Sequence, residues 1–280
     1  MENKKYELLE NDTIVINDGE NTLYRIKVIK DFGDVKAGDI GGYIESEDNL
    51  SHEGNAMVFG DAEVYGNAKV FGNARIYDNV RIYGNAKVFG DARVFDNARV
   101  SGNARVYDAK VYGDAEVFSN AKVYGDAWVS GDAKVYGDAE VYGSTKVYGD
   151  AEVYGNTKVY GNAEVYGNTK VYDNARVFGD AEVYGNAWVC GDARVTTNAR
   201  VSNGAYIDSI NKHMVMGPLG SRWDYTTFYL DNDTNIWVNC GCFNGSVKEF
   251  EKAVNNTHKN NEFYRNQYLN AINCVKKIFS

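Results

Sequence analysis

The sequence is poor in the residues that usually build covalent cross-links or catalytic centres. Its 280 residues include one proline, four cysteines and three histidines, and no stretch is apolar for long enough to span a membrane or to act as a signal peptide. Four cysteines in a chain of this length do not make a disulfide framework, so we expect a reducing cytoplasm. These absences argue against membrane proteins and against disulfide-stapled secreted domains.

The net charge of −9 is carried mainly by the beginning of the chain. Residues 1–54 contain 6 Lys or Arg against 13 Asp or Glu. This acidity is typical of a solvated surface and argues against nonspecific coating of DNA, although it leaves room for one basic face.

What the sequence does contain is one six-residue pattern, repeated through most of its length. Val or Ile recurs every six residues from Val58 to Val106 and, after one five-residue step, from Val111 to Ile207, which makes 26 hexads. Ala and Val are two apart, so in a strand they point to the same side, while the charged residue between them and the aromatic after Val point outward. Gly and the following Asn or Asp tolerate positive φ and turn the chain. Each hexad predicts a strand of about four residues and a two-residue corner.

Two folds accommodate such a unit. A meander of hairpins favours the corner order Asn-Gly, whereas this chain has Gly-Asn or Gly-Asp. A solenoid stacks each strand on an equivalent one and buries a column of Val and Ala, so that every coil protects its neighbours. We therefore predict a solenoid, in which the short step between Val106 and Val111 is a tightened corner that keeps the phase.

The pattern [V/I]-x-G-[N/D]-A-x resembles the hexapeptide repeat of left-handed parallel β-helices, in which three hexads make one triangular coil. The resemblance implies a mainly β fold with a single-stranded parallel β-helix over residues 55–207, of about eight to nine coils. We expect an N-terminal β cap over residues 1–54 and a small C-terminal α+β domain over residues 208–280, because an open solenoid exposes unpaired strand edges.

The two flanks show their own patterns. Residues 13–30 predict two strands around a turn at Asp18 and Gly19. In the C-terminal part, "TTFYL" and "IWVNCGCF" predict strands, and Ser246 with Glu249 makes a capping box that opens a helix near Val247. A second helix should place one apolar face inward, formed by Tyr268, Leu269, Ile272, Val275 and Phe279.

Both flanks, "YRIKVIKDFGDVKAGDIGGYIESEDNLS" and "GPLGSRWDYTTFYLDNDTNIWVNCGCFNGSVKEFEKAV", look like those of hexapeptide-repeat proteins encoded in bacterial prophages. This resemblance implies the cytoplasm of a bacterial host cell. It carries no common function.

Three candidate chemical sites have plainer interpretations. The resemblance to acyltransferases of this fold covers only the repeat, and the repeats contain no histidine, since His213 and His258 lie outside them. Cys240, Cys242, His258 and Cys274 lack the usual spacing of zinc ligands, so Cys240 and Cys242 are interpreted as buried small apolar groups on one strand face. The "GPLGSR" loop is a weak anion-site candidate. We predict no enzyme activity, no cofactor and no metal.

Counting every third hexad assigns the outward residues to three faces. One face is basic in seven of eight positions, with Glu140 as the exception. These seven residues, here called the basic strip, are Lys69, Lys87, Arg105, Lys122, Lys158, Arg176 and Arg194, and the tyrosines beside them are Tyr124, Tyr142 and Tyr160. The strip is either a solvated face covered by long side chains or a polyanion-binding surface in which rings stack on bases.

The sequence thus favours a non-enzymatic interaction protein whose partner is a host or phage protein, or a complex of such a protein with nucleic acid. A phage protein of this kind is expected to inhibit a host defence factor such as a CRISPR effector or a nuclease. Two alternatives stay open: an acyltransferase or small-ligand-binding oligomer, and a structural fibre or tail component. A homo-oligomer would form through the C-terminal domain or a helix face.

Overall fold

The computed structural model describes residues 4–280. It forms two compact units, the first ending at Asp150 and the second running from Ala151 to Ser280. Both units are built mainly from short parallel strands stacked in columns, and the second also holds a small antiparallel sheet with two helices. The fold is therefore a mainly β parallel β-solenoid with a small C-terminal domain, as predicted.

The first unit begins with three longer strands, β1 (Tyr6–Ile16), β2 (Asn21–Val28) and β3 (Ile40–Ile44). Its short strands are β4 (Met57–Val58), β5 (Glu63–Val64), β6 (Lys69–Val70), β7 (Arg75–Ile76), β8 (Arg81–Ile82), β9 (Lys87–Phe89), β10 (Arg93–Val94), β11 (Arg99–Val100), β12 (Arg105–Tyr107), β13 (Lys110–Val111), β14 (Glu116–Val117), β15 (Lys122–Tyr124), β16 (Trp128–Val129), β17 (Lys134–Val135), β18 (Glu140–Gly143) and β19 (Lys146–Tyr148). Most of these strands hold 2 residues and one, β18, reaches 4, so the predicted length of about four is an upper limit.

The second unit continues the short strands and ends in a different architecture. Its repeat strands are β20 (Glu152–Val153), β21 (Lys158–Gly161), β22 (Glu164–Tyr166), β23 (Lys170–Val171), β24 (Arg176–Gly179), β25 (Glu182–Val183), β26 (Trp188–Val189), β27 (Arg194–Val195), β28 (Arg200–Val201) and β29 (Tyr206–Ile207). The C-terminal domain consists of β30 (His213–Leu219), β31 (Asp224–Leu230), β32 (Ile236–Cys240), β33 (Phe243–Ser246), α1 (Val247–Thr257) and α2 (Glu262–Ile278).

Within each unit, a short strand pairs in parallel with the strand three positions further along the chain. Val88 of β9 faces Val106 of β12, which in turn faces Val123 of β15. In the second unit Val159, Val177 and Val195 align in the same way. Three hexads therefore make one turn, and the hairpin alternative is excluded. The left-handed sense of the coil stays a prediction.

The five-residue step keeps the phase of the columns, as predicted. Arg93 pairs with Lys110 across it, and Val94 pairs with Val111. Asp108 takes the place of the corner glycine with φ 54. Its Oδ1 accepts a hydrogen bond of 2.8 Å from the backbone N–H of Asp91, which ties the shortened corner to the previous turn.

The core is a column of alanines and valines. In the repeats every inward Ala and every Val or Ile is at most 1% exposed, and full burial of a valine contributes about 1.5–3 kcal/mol of transfer free energy. Thr145, Thr157 and Thr169 replace inward alanines and are also buried. Each hydroxyl donates to the carbonyl oxygen three residues earlier, at 2.6–2.7 Å, so no threonine oxygen among these three is buried without a partner.

The corners turn at a single position. Gly84 has φ 72, whereas Asn85 after it stays out of the left-handed region. The prediction that both corner residues turn through positive φ is therefore corrected. Among the described corners of the repeats, both residues do so only at Thr197–Asn198 and Asn203–Gly204. Elsewhere the second residue is free to direct its side chain along the coil axis.

Those second residues form hydrogen-bonded ladders of side-chain amides. In the first unit, Nδ2 of a corner Asn donates to Oδ1 of the Asn or Asp one turn later, at 2.9–3.2 Å. The longest such ladder is Asn67, Asn85, Asn103, Asn120 and Asp138. Because a carboxylate only accepts, the closing Asp fixes the direction of donation along the whole ladder.

The N-terminal cap is a hairpin, as predicted, although its first strand begins at Tyr6 rather than near residue 13. β1 pairs antiparallel with β2, β2 pairs antiparallel with β3, and β3 pairs in parallel with β5. Lys5 is 5% exposed and its Nζ donates to the carbonyl oxygens of Glu53, Gly54 and Ala56. These bonds satisfy carbonyls at the start of the array. Burial lowers the pKa of Lys5 to about 8, and the nearby Arg75 charge adds to this.

The C-terminal domain packs its two helices on a four-stranded antiparallel sheet in the order β30-β31-β32-β33. The predicted capping box of α1 is present, since Ser246 Oγ accepts from the backbone N–H of Glu249 and the Glu249 carboxylate accepts from the backbone N–H of Ser246. The predicted face of α2 is confirmed, with Tyr268, Ile272 and Val275 buried and Leu269 and Phe279 partly buried against them. Among the described residues, no helix is long and apolar enough to cross a membrane.

Candidate partner-binding surface

Strand pairing aligns the basic strip in two groups, one in each unit. In the first unit Lys69, Lys87, Arg105 and Lys122 occupy equivalent positions on successive strands of one column, which ends at Glu140. In the second unit Lys158 pairs with Arg176 and Arg176 with Arg194. Counting by three therefore assigned the outward residues to the correct columns. That these residues bind a polyanion stays a prediction.

Ion pairing distinguishes this column from its neighbour. Lys122 Nζ lies 2.9 Å from Glu140 Oε1. Within residues 4–280, however, no carboxylate lies within salt-bridge distance of Lys69, Lys87 or Arg105. The neighbouring column of β5, β8, β11, β14 and β17, here called the mixed column, carries both acidic and basic residues. There Arg81 pairs with Glu63 and Arg99 with Glu116, whereas Lys134 has no such partner among the described residues. The first turns of the strip thus present cations that no described acidic side chain neutralises.

The same holds for part of the strip in the second unit. Neither Arg176 nor Arg194 has a carboxylate within salt-bridge distance among the described residues, whereas Lys170 and Arg200, in the other columns of that unit, pair with Glu152 and Glu182.

The aromatic residues beside the strip stack on one another. Phe71, Phe89, Tyr107, Tyr124 and Tyr142 form a continuous pile with ring centroids 4.8–5.0 Å apart. In the second unit Tyr160 stacks on Phe178 at 4.9 Å. The inner rings, Phe89, Tyr107 and Tyr124, have a neighbouring ring on each face, so they present their edges to the surroundings. Of the three tyrosines predicted beside the strip, Tyr124 has a ring on each face, so a base could stack on it only by displacing a neighbouring ring. Base stacking on Tyr142 and Tyr160 stays a prediction.

The Tyr124 hydroxyl in the pile remains protonated at neutral pH. Burial, followed by the Glu140 carboxylate, raises the pKa of Tyr124 to about 12. Tyr124 therefore adds no charge to the pile, here called the ridge, and its hydroxyl can donate a hydrogen bond to an anionic partner.

A second basic column lies across this ridge in the first unit. Arg75, Arg93 and Lys110 pair in sequence on β7, β10 and β13, each one hexad after a residue of the strip. Arg75 is paired with Asp34, and Lys110 lies 4.4 Å from the centre of the Trp128 ring. Counting hexads assigns these residues to a separate face and does not join them to the strip. The sequence signal for the second basic column is the recurring motif [KR]-V-[FY]-[GD], followed by another Lys or Arg in the next hexad.

Acidic residues also lie on the ridge between the two columns. Asp91 accepts from Nδ2 of Asn73 at 2.9 Å, and Asp108 accepts from the Asp91 backbone. These carboxylates are engaged at the corners. The surface thus combines two columns of outward cations with an interrupted line of acids. This pattern favours a partner whose own charges are arranged to complement it.

Of the residues of the other candidate sites, Cys240, Cys242 and His258 line one cavity, whereas His213 and Cys274 are not part of its lining. His213 is mostly buried, which lowers its pKa, and its Nδ1 has no partner among the described residues. His258 stacks on Tyr268 at 5.6 Å. Within residues 4–280 no group of three His, Cys, Asp or Glu side chains is placed to hold a metal ion.

The cysteine prediction was half right. Cys240 is buried in β32, and the Thr226 hydroxyl donates to its Sγ at 3.2 Å. Cys242 is exposed, because Gly241 with φ 57 begins a tight turn before β33. In the "GPLGSR" loop, the N–H of Gly220 donates to Gln267 Oε1 at 3.0 Å, so this amide is already engaged by a side chain.

One comparison with known protein families gives a match. The family model described as the YdcK beta solenoid repeat matches residues 74–90, 92–108 and 98–114, which lie in the first unit. The match supports the repeat β-helix seen in the columns over this part of the chain, while origin in a prophage stays a prediction. No curated protein matches the chain.

Proposed function

We propose that the protein is a non-enzymatic interaction protein that binds an acidic protein surface through the basic strip of its first unit. The observation that carries the proposal is the run of Lys69, Lys87 and Arg105 without a carboxylate partner among the described residues. Like charges about 4.8 Å apart repel one another. An acidic partner would relieve this repulsion, so the free surface is preorganised for one.

The stacked rings favour protein over nucleic acid as the partner. Single-stranded nucleic acids gain about 1–3 kcal/mol for each base that stacks on an aromatic side chain. The neighbours of Tyr107 and Tyr124 already occupy that position on both faces. The net charge of −9 also disfavours general attraction of polyanions.

The finer form of the proposal is that the partner is a host defence factor, such as a CRISPR effector or a nuclease, met in the cytoplasm of a bacterial host cell by a phage-encoded protein. It is supported by the resemblance of both flanks to prophage-encoded proteins. The rigid columns suit a role in which the protein occupies a binding surface and performs no chemistry.

The test compares two triple variants with the same change in net charge. The first variant replaces Lys69, Lys87 and Arg105 by Gln. The matched control replaces Arg81, Arg99 and Lys134 by Gln, and these three residues lie on the mixed column of the same unit. Glutamine removes charge without adding like charges to a column. Immobilised protein captures its partner from bacterial lysate, with and without nuclease treatment, and affinities for the captured protein are then measured.

We expect the first triple to weaken binding at least about tenfold, or ~1.4 kcal/mol, and the control to change it less than about twofold. Capture should survive nuclease treatment. Equal losses in both triples would reduce the strip to a solvated face. Capture that disappears after nuclease treatment, with a steep dependence on salt, would instead identify a nucleic acid.

A further inference from the structure

A cavity in the second unit lies where the last turns of the solenoid meet the C-terminal domain. Its volume is about 210 Å³, and it is lined by Asn186, Trp188, Gly204, Ala205, Tyr206 and Asn232. None of these residues belongs to the basic strip. The volume is smaller than the ~300–1,000 Å³ of sites for drug-sized ligands, so it accommodates a single small ring.

The cavity exists because one corner reverses the order of its residues. The last corner reads Asn203-Gly204, whereas most others read Gly followed by Asn or Asp. Gly204 therefore occupies the place next to Asn186 where a ladder side chain would lie, and a Cβ added there would meet nothing within 4 Å. Asn203 instead donates to Asn244 of the C-terminal domain at 3.1 Å.

Two aromatic rings open toward this space. Trp188 is 43% exposed, and its ring lies 6.4 Å from that of Tyr206 at an angle of 45°. The tyrosine pairs Tyr154–Tyr172 and Tyr166–Tyr184 of the same unit are instead nearly parallel at 5.1 Å. The wedge between Trp188 and Tyr206 leaves indole surface uncovered.

Two side-chain amides border the rings. Neither the Asn186 amide nor the Asn232 amide has a hydrogen-bond partner among residues 4–280. Asn232 lies in a loop held by Asp231, whose carboxylate accepts from the backbone N–H of Asn235 and from Trp237 Nε1, each at 2.8 Å. The two amides thus offer hydrogen-bond donors and acceptors from backbone segments that are held in place by the Asp231 loop and by the repeats.

The charges around the cavity are balanced and argue against an ionic ligand. Lys170 Nζ lies 5.8 Å from the centre of the Trp188 ring and is paired with Glu152, while Lys212 Nζ lies 5.1 Å from the Tyr206 ring and is paired with Asp208. A cationic ligand would compete with these ammonium groups for the rings. An anionic ligand would meet no unpaired cation among the described residues of the lining.

We propose that this cavity binds one pyranose ring of a neutral saccharide. The C–H groups on one face of a pyranose carry partial positive charge and pack on the negative face of an indole. Its hydroxyls both donate and accept, which matches the two asparagine amides. The apolar wall of Trp188 and the polar rim of Asn186 and Asn232 thus correspond to the two kinds of surface that a pyranose presents.

The experiment applies the purified full chain to an array of immobilised neutral and acidic glycans. Trp188→Ala removes the indole wall, and Gly204→Asn fills the cavity at a position with φ 75, which asparagine tolerates. Trp128→Ala is the matched control, because Trp128 is an outward tryptophan of the repeats with 37% exposure and lies outside this cavity. Thermal unfolding verifies that each variant is folded.

We expect binding to at least one neutral glycan, a loss of at least about tenfold (~1.4 kcal/mol) in Trp188→Ala and Gly204→Asn, and no change in Trp128→Ala. The proposal is overturned if no neutral glycan is bound, if only acidic glycans are bound, or if Trp128→Ala causes the same loss. The strip triple leaves this cavity intact, so glycan binding there should also be unaffected by it.

Discussion

Single tyrosines in this protein have a structural role and a chemical one. A tyrosine in a ring pile gives its face to the neighbouring turn, and each stacked pair contributes about 0.5–1.5 kcal/mol beyond its buried area. Tyr124, between Tyr107 and Tyr142, does so on both faces. Its hydroxyl stays at the surface, where its protonation state decides the charge of the ridge.

The raised pKa of Tyr124 makes part of the protein's stability dependent on alkaline pH. Its folded pKa of about 12 exceeds the unfolded value near 10. The resulting stabilisation is fully present below pH ~10 and is lost as the pH rises toward the folded pKa. In an ultraviolet titration of tyrosinate we expect a fraction of the native tyrosines to ionise later than the same residues in urea, and Tyr124→Phe to reduce that late fraction. Superimposable native and urea titrations would contradict this.

At the scale of one element, the corner residue decides how well a turn fits its neighbours. Ser119 occupies a glycine position with φ 61, and a Cβ at Gly102, one turn before, would lie 2.8 Å from the Ser119 backbone nitrogen. A left-handed φ costs a non-glycine residue roughly 1–2 kcal/mol, a cost that glycine does not have. Glycine in turn loses about 0.5–1 kcal/mol, because it gives up more backbone entropy on folding than other residues do.

Ser119→Gly should therefore stabilise the fold by about 0.5–1 kcal/mol, and Gly102→Ala should destabilise it by at least about 1 kcal/mol. Urea unfolding with unchanged m-values measures both free energies, and Ser101→Ala, at the residue before Gly102, serves as a control of the same corner. If both glycine-site variants moved the free energy in the same direction, backbone conformation would not be the controlling factor.

The elements of the repeats were predictable because the hexad period fixes which side chain is buried at every step. β30 was missed because its segment contains Pro218, which argues against a central strand. The structure places β30 at the edge of its sheet, where a missing N–H is tolerated. Cys242 was misplaced because "IWVNCGCF" was interpreted as one strand, although Gly241 divides it at a tight turn. The start of β1 was missed because its outward acids interrupt the apolar pattern.

At the scale of the whole molecule, three hexads form the smallest segment that can be deleted without moving later residues to another column. Residues in one column are 18 apart, or 17 across the short step, so removing a full turn leaves every later residue in its column. Deletion of residues 74–91 removes one member of each column of the first unit and joins Asn73 to Ala92 with the hexad intact. Deletion of residues 86–91 removes a single hexad and moves later residues of that unit to another column.

We expect the full-turn deletion to unfold cooperatively with a modestly lower urea midpoint. The single-hexad deletion should lose more stability, because it disrupts the ring piles, the amide ladders and the Arg–Glu pairs together. Circular dichroism followed during urea unfolding compares the two. Equal midpoints would mean that only the Val and Ala core specifies the columns.

The membership of the basic strip was predictable from counting, since a column is a matter of period alone. The state of its residues was not. Which acid reaches which cation depends on rotamers, and so Lys122 is paired with Glu140 while Lys69 and Lys87 have no such partner among the described residues. The saccharide cavity was equally hidden, because it arises where the repeat is broken at Asn203-Gly204 and not where it is kept.

The amide ladders also determine how the molecule would age. Asparagine slowly deamidates to aspartate, and each ladder tolerates a carboxylate only at its end, where nothing remains to be donated. The longest ladder already ends in a carboxylate at Asp138, whereas a conversion at Asn85 or Asn103 would set a carboxylate against the Oδ1 of the next residue and break the donation there. Deamidation of one interior asparagine would thus weaken the contact between two successive turns locally, while the buried Val and Ala core stays intact.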